Sequence, residues 1–339
     1  MSSTRILDVA KAAGVSTATV SRALNSPEQV SEEMRSLVMA AVETTGYRMN
    51  RSARNLRKQQ SGEVLILVPN LGSPVFSQII SGIEETFSNT DYNVLIADTR
   101  SRDPSRDLLA ELLAETRADG IIILDGQVSA RAGDWLRQNA SQQLIVFACD
   151  WAEGLNIPVV RSNNRRGAAS AIQYLHSLGH QKIAHITGAE DNIQTIARRE
   201  GVLEERARLN LPLRPDWVIR GDFTLPSGYQ AAEHILALGE KPTAVFCASD
   251  MMAFGLISRL SLAGVRVPED ISVMGFDDIE LAEYYLPRLT TIRQNRRAMG
   301  ETAAARVLAY LNGNTDELFH ERIIDVELIV RDSCAPPAE

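Results

Sequence analysis

Eight short apolar runs, spread through the chain beyond residue 61 and each followed by a helical stretch, constrain this fold more than any other feature. They are VLILVPN, NVLIADT, GIIILDG, LIVFACD, KIAHITG, WVIRGDF, AVFCASD and ISVMGFDD, with LTTIRQ and IIDVELIV after them. Near-continuous apolar strands alternating with amphipathic helices make βαβ units, in which helices cover both faces of a parallel sheet. Together these runs exceed one ordinary sheet, so two Rossmann-like lobes are expected. Many runs close on a polar residue: Asn70, Asp98, Asp125, Asp150, Asp222, Asp250 and Asp277. Ligands of open α/β sheets bind beyond the carboxyl ends of the strands, so two facing lobes would enclose a cleft lined with carboxylates and amides. Phe76, Trp151, Phe223 and Phe276 stand close to those ends. Carboxylates accept from hydroxyls and aromatic faces cover apolar ring surface, which suits a sugar or a nucleoside. A strand-end Asp also caps helices, and for Asp250, in the SD turn before Met251, that role competes.

The first sixty residues are built differently. Ile6, Val9, Ala10 and Ala13 form an apolar stripe at helical spacing, Gly14 stands where a left-handed terminus is needed, and Ser16 caps the next helix. In VSTATVSRAL, Val20 and Leu24 face inward while Thr17, Ala18, Ser21 and Arg22 project on the opposite side. Helix, glycine turn, helix is the helix-turn-helix pattern, whose second helix enters the major groove of DNA. Hydroxyl arms suit phosphates and base edges, Ala18 a thymine methyl, and Arg22 a guanine. SEEMRSLVMAAVETTGY supplies a third helix, with Ser31 as its cap and Met34, Val38, Ala41 and Val42 on one face. Beyond Tyr47, Arg48, Arg51, Arg54 and Arg57 recur every three residues with no acid between them, and Ala53 and Leu56 fall on another side. A flexible basic linker and a short hinge helix that wedges an apolar side chain into the minor groove both fit that segment.

Charge divides the chain in the same way. The net charge is −8 over 339 residues, yet residues 1–60 hold nine Lys or Arg against five acids, which leaves the remainder at −12. A basic head on an acidic body directs only the head toward a polyanion. No apolar run approaches the ~18 residues of a membrane span and the first residues are polar. A cytoplasmic protein, nucleoid-associated when on DNA and without a membrane partner, is therefore expected. Cys149, Cys247 and Cys334 lie far apart with no paired spacing. Neither a metal site, a disulfide framework nor a cofactor is expected.

The words DVAKAAGVSTATVSRALN, VSEEMRSLVMAAVETTGY and NRSARNL resemble the headpiece and hinge of the lactose-repressor (LacI/GalR) family. PNLGSPVFSQIISGIE, YLHSLGHQKIAHITG, RREG, PTAVFCASDMMAFG and VPEDISVMGFDDIELAEYYLPRLTTIRQ resemble its regulatory core, so the likeness spans nearly all the chain. The resemblance implies an α/β protein with an N-terminal three-helix helix-turn-helix headpiece over 1–49 and a hinge helix or linker over 50–61. An effector-binding and dimerisation core over 62–339 would follow, in two Rossmann-like lobes of periplasmic-binding-protein type. The first lobe would comprise about 62–161 with 293–325, the second about 162–292 with 326–339.

By the same resemblance Thr17 and Ala18 read bases, Ser16, Ser21 and Arg22 support phosphate and base contacts, and Thr4, Thr19 and Asn25 complete the DNA-facing set. Asn50, Ala53 and Leu56 fall at the hinge, with Leu56 as the intercalating wedge. The implied effector pocket holds Leu71, Ser73, Phe76, Asp150, Trp151, Arg198, Phe223, Ser249, Asp277 and Gln294. Arg198 and Asp277 lead that set, as fork donor and carboxylate acceptor for vicinal hydroxyls. Ile79, Ile80 and Ile83 of FSQIISGIEETF would form the contact of a homodimer on a near-palindromic double-stranded DNA operator. RDSCAPPAE carries no leucine heptads, so no coiled-coil tetramer is expected. The expected function is a transcriptional repressor released from its operator by a small polar effector, a sugar first and a nucleoside second.

The chain departs from the family pattern at Asn163 of RSNN, where Asp is usual, and at Ser249, where some sugar-responsive members have Asn. RGDFT and AVFCASD are similar to the cytidine-repressor branch, and Asp150–Trp151 to the purine repressor, so the effector and the sign of its effect stay open. An enzyme finds little support: there is no GxSxG, no phosphate loop of the P-loop type and no GxGxxG after a strand. Of the five histidines only His176 and His180 have a metal-like spacing, and Gly179 interrupts it. A transport-type binding protein fits the body, but it would carry a signal peptide where the basic head stands.

Overall fold

The computed structural model describes residues 4–47, 60–100, 103, 105–140, 144–314 and 320–338. The chain divides into two units, Met1–Gly62 and Glu63–Glu339. In the first, helices α1 (Ile6–Ala13), α2 (Thr17–Asn25) and α3 (Glu32–Thr45) enclose a small core of Val9, Ala10, Ala13, Val20, Ala23, Val38 and Ala41. Gly14 ends α1 at φ 65°, a left-handed conformation that a side chain would strain. The Ser16 and Ser31 hydroxyls accept from the Thr19 and Met34 amides, satisfying donors that helices α2 and α3 leave open. Asn50, Ala53 and Leu56, expected at the hinge, lie outside the described residues, as does the side chain of Asn25.

The second unit holds two six-stranded sheets. In one, the order is β11-β5-β4-β3-β1-β2, from β1 (Glu63–Val68), β2 (Asn93–Asp98), β3 (Gly120–Ile123), β4 (Leu144–Ala148), β5 (Val159–Ser162) and β11 (Glu321–Ile324). In the other it is β12-β10-β9-β8-β6-β7, from β6 (Ile183–Thr187), β7 (Val218–Arg220), β8 (Ala244–Cys247), β9 (Ser272–Asp277), β10 (Thr290–Gln294) and β12 (Val326–Ile329). All pairings are parallel except β10 with β12. Helices pack on both faces of each sheet, which is why β1, β3, β4, β8 and β9 are almost wholly buried.

The run IIDVELIV divides at Asp325: β11 pairs with β5 in the first sheet and β12 with β10 in the second. Strand β10 runs to Gln294 within the second sheet, which places 293 and 294 with the second lobe rather than the first. The four-residue β5 had no sequence signal of its own. Three chain segments thus join the lobes, after Ser162, after Gln294 and at Asp325.

Helices α4 (Pro74–Phe87) and α12 (Arg296–Leu311) pack together on the first sheet at very short range. A Cβ on Gly82 would lie 2.3 Å from the Arg297 carbonyl oxygen, and one on Gly300 would lie 2.0 Å from that of Ile79. The packing corrects one expectation. Ile79 and Ile83 are fully buried against this sheet and helix α12, so neither can form a dimer contact, and Ile80 is half-buried beside them. Ile79→Ala should therefore behave as a core truncation and lower stability by ~2–5 kcal/mol in urea titrations. Weakened self-association at unchanged stability would restore the interface reading.

Candidate functional site

Two surfaces carry the chemistry, one in each unit. On α2, Thr17, Ala18 and Arg22 are exposed, Ser21 is half-buried and Val20 points into the core. Ser16 and Thr19 are turned toward each other, their hydroxyl oxygens 2.9 Å apart, so the cap fixes both. Thr4 donates to the carbonyl of Thr45 at 3.2 Å and so ties the start of the headpiece to the end of α3. Short polar arms and one guanidinium thus stand on a helix rigidly backed by a core, the form that major-groove reading requires.

In the larger unit, the carboxyl ends of the two sheets face a cavity of about 340 Å³. The first lobe contributes Asn70, Ser73 and Phe76 after β1, Arg100 after β2, Asp125 and Gln127 after β3, and Asp150 after β4. From the second come Asn192, Gln194 and Arg198 after β6, Asp222, Phe223 and Thr224 after β7, Ser249 and Met251 after β8, and Asp277 at the end of β9. Cys149, Phe223, Asp277 and Asp278 have φ values of 74°, 67°, 116° and 54°. Each such residue costs ~1–3 kcal/mol, and such strain collects where a site needs a fixed geometry.

The floor is a network around Arg198, which is 2% exposed. Its Nε donates to Asn164 Oδ1 at 2.8 Å, Nη2 to Gln194 Oε1 at 2.7 Å and Nη1 to the Ala248 carbonyl. The guanidinium lies 3.8 Å from the Phe276 ring centre, and Nη2 is 3.6 Å from the carboxylate of Asp277, which also accepts from Gln294 Nε2 at 2.6 Å. Burial lowers the Arg198 affinity for its proton and raises that of Asp277, and the cations of Arg198 and Arg296 oppose the latter effect. Across the cleft, Asp150 of the first lobe accepts from the Gln194 and Asn192 amides of the second.

Burial pushes the Asp150 carboxyl up to about 6, and it also raises Asp125, whose carboxylate accepts from the Thr99 hydroxyl. A carboxyl that holds its proton more tightly folded, at about 6, than unfolded, at 3.8, favours the fold below pH 4. That contribution is lost as pH rises through 6. Asp150→Asn should therefore stabilise the ligand-free chain at pH 7.5 by up to ~3 kcal/mol, with the gain gone at pH 4. Urea titrations at the two pH values check this, and a gain independent of pH would refute it.

Of the ten expected pocket residues, Ser73, Phe76, Asp150, Arg198, Phe223, Ser249 and Asp277 line the cavity. Three do not. Leu71 is 51% exposed and is held by its amide on Asp98. Trp151 packs into the core of the first lobe with Arg161 4.7 Å from its ring centre, and Gln294 lies behind Asp277. Asp250 is fully buried and accepts from the Thr291 hydroxyl and the Ile279 amide, while the helix cap beside it is Ser249. Arg100, Gln127, Asn192 and Gln194 were not foreseen, although each lies a few residues past a strand end. Asn163 caps the helix Asn164–Ser177, a task for which an amide oxygen serves as well as a carboxylate. Among the described residues no group of three or more His, Cys, Asp or Glu is placed to hold a metal, and no helix is long and apolar enough to cross a membrane.

A helix-turn-helix unit joined to a two-lobed ligand-binding core defines a transcription regulator. Comparison with known proteins places it further. A model of the bacterial regulatory proteins of the lacI family matches residues 5–50, and one of the periplasmic binding protein-like domain matches 172–334. The HTH-type transcriptional repressor CytR of Escherichia coli (strain K12) is 36% identical over 330 residues, 96% of this chain and 95% of that one. The HTH-type transcriptional repressor PurR of Photobacterium profundum is 33% identical, covering 97% and 98%. A lac repressor dimer bound to operator and the anti-inducer ONPF superposes with a TM-score of 0.85 at 29% identity, over 98% of this chain and 100% of that one. A complex of the regulator CelR with cellobiose does so with a TM-score of 0.74 at 28% identity, over 97% and 99%. The chain belongs to the lacI family of bacterial regulatory proteins. It is a DNA-binding transcriptional repressor and not an enzyme.

Proposed function

We propose that this repressor acts in the cytoplasm as a homodimer on a near-palindromic operator and that a nucleoside in the cleft sets its grip on DNA. The observation that carries the effector is the pair Phe76 and Phe223, which enter one 340 Å³ cavity from opposite lobes. Two aromatic faces suit a planar base, whereas Arg198 and Asp277 on the floor suit ribose hydroxyls as donor and acceptor. The similarity to CytR and PurR supports the same choice.

A free sugar is the second reading. Carboxylates and amides dominate the lining, and related structures hold ribose and cellobiose. In either case the ligand would bridge the lobes, and its differential affinity for the closed and open forms would alter operator binding. The test is a thermal-shift panel of cytidine, adenosine, uridine, guanosine, ribose and cellobiose. Each hit is then titrated against duplexes selected from a random pool. Stabilisation by ribonucleosides with a changed operator affinity is expected; stabilisation by sugars alone overturns the nucleoside.

A further inference from the structure

Arg296 is the first residue of α12, in the first lobe, and is 8% exposed. Its Nη2 donates to the carbonyl of Asp278 in the second lobe at 2.7 Å, and its Nη1 reaches the carbonyl of Pro74, the first residue of α4, at 3.4 Å. Its Nε has no partner among the described residues. The guanidinium therefore spans the two lobes on two neutral acceptors, with no carboxylate in ion-pair contact among the described residues, although its charge is felt by the buried Asp277 carboxyl.

Both ends of that span matter. Asp278 follows Asp277, the cavity acid, and the two form a consecutive left-handed pair at φ 116° and 54°. The Asp278 carboxylate is already fixed by Arg293 and Arg331, each at 2.7 Å, so rotation of the strained pair is felt chiefly at its backbone carbonyl, which Arg296 holds. At the other end, Pro74 stands two residues before Phe76 of the cavity wall. Helices α4 and α12 meet backbone to backbone at Gly82 and Gly300, so a displacement of either is resisted by the other's close packing.

Resting on the reading of the cleft as the effector site, we propose that Arg296 is a positioning residue that carries the state of Asp277 across the lobes to the paired helices α4 and α12. An Arg fork can satisfy two carbonyls in one plane, whereas a Lys ammonium on the same backbone is a single point. A strained turn and a close-packed helix pair linked by one side chain form a contiguous physical connection of the kind through which two sites can couple.

Hydrogen–deuterium exchange on the full chain tests this without ligand or DNA. Asp277→Asn should change exchange at the α4 amides Gln78–Gly82 by at least fivefold. In an Arg296→Lys background the same substitution should change it by less than twofold, and Arg296→Met should do likewise. The Lys variant keeps the charge, so it covers the case in which the Met variant fails to fold. An undiminished response in the Lys background, or no response to Asp277→Asn in the native sequence, overturns the proposal. Cytidine is the ligand probe. Arg296→Lys should keep its affinity within threefold while its effect on operator binding falls at least tenfold, and an unchanged effect overturns the proposal. If cytidine fails to bind the native chain, the nucleoside reading suffers, and the exchange result alone decides the role of Arg296.

Discussion

Arg198→Met should lower the stability of the chain by ~3–5 kcal/mol and abolish its response to effector. The guanidinium bonds to Asn164, Gln194 and Ala248, lies against Phe276 and is 3.6 Å from Asp277, all in the buried floor of the cleft. Methionine fills much of the volume but leaves the Asp277 carboxylate buried, with Gln294 Nε2 as its side-chain hydrogen-bond donor among the described residues. A stranded buried charge costs more than the pair itself was worth. The double variant Arg198→Met, Asp277→Asn should therefore recover part of the loss, since the second change removes the stranded charge. Urea titrations of the native chain, both single variants and the double complete the cycle. Losses that simply add would show that the two groups do not act as a pair.

Operator affinity should fall by ~10³-fold or more between 50 and 200 mM salt, the response of a protein that neutralises about six or more phosphates. The head is +4 in its first sixty residues and the rest of the chain −12, so the salt response should belong to the head alone. Arg22, exposed on α2 opposite the buried Val20, is the described cation best placed to reach a base edge. Arg22→Ala should cost ~1–3 kcal/mol on the preferred operator and much less on random duplex. Fluorescence anisotropy with both duplexes over the salt range measures slope and selectivity together. Equal losses on the two duplexes would make Arg22 a phosphate contact only.

The headpiece was the most legible part of the chain because its signals are local. Caps at Ser16 and Ser31, the turn at Gly14 and the stripe Val9, Ala10, Ala13 are each fixed within a few residues. The cleft was legible at one remove. Strand ends named Asp125, Asp150, Asp222 and Asp277, but periodicity does not say which way Trp151 turns, and it turns into its own lobe. Ile79 and Ile83 show the same limit: an apolar helical face reads identically whether it meets a sheet or a second subunit, and here it meets the sheet. Asp250 looked like its neighbours at the strand ends, yet contacts from Thr291 and Ile279, far along the chain, take it out of the cavity.

The three joins between the lobes also limit how the core can move. The Asn163 amide donates to the Ile324 carbonyl at 3.0 Å and Arg166 pairs with Asp325, while Gln294, Asn295, Asp325 and Val326 border a common groove, so the joins run side by side. Like the spine of a book, three adjacent tethers resist twisting and sliding but leave one inexpensive degree of freedom, the angle between the covers. Whatever occupies the cleft can therefore report to the rest of the molecule through little more than a single number.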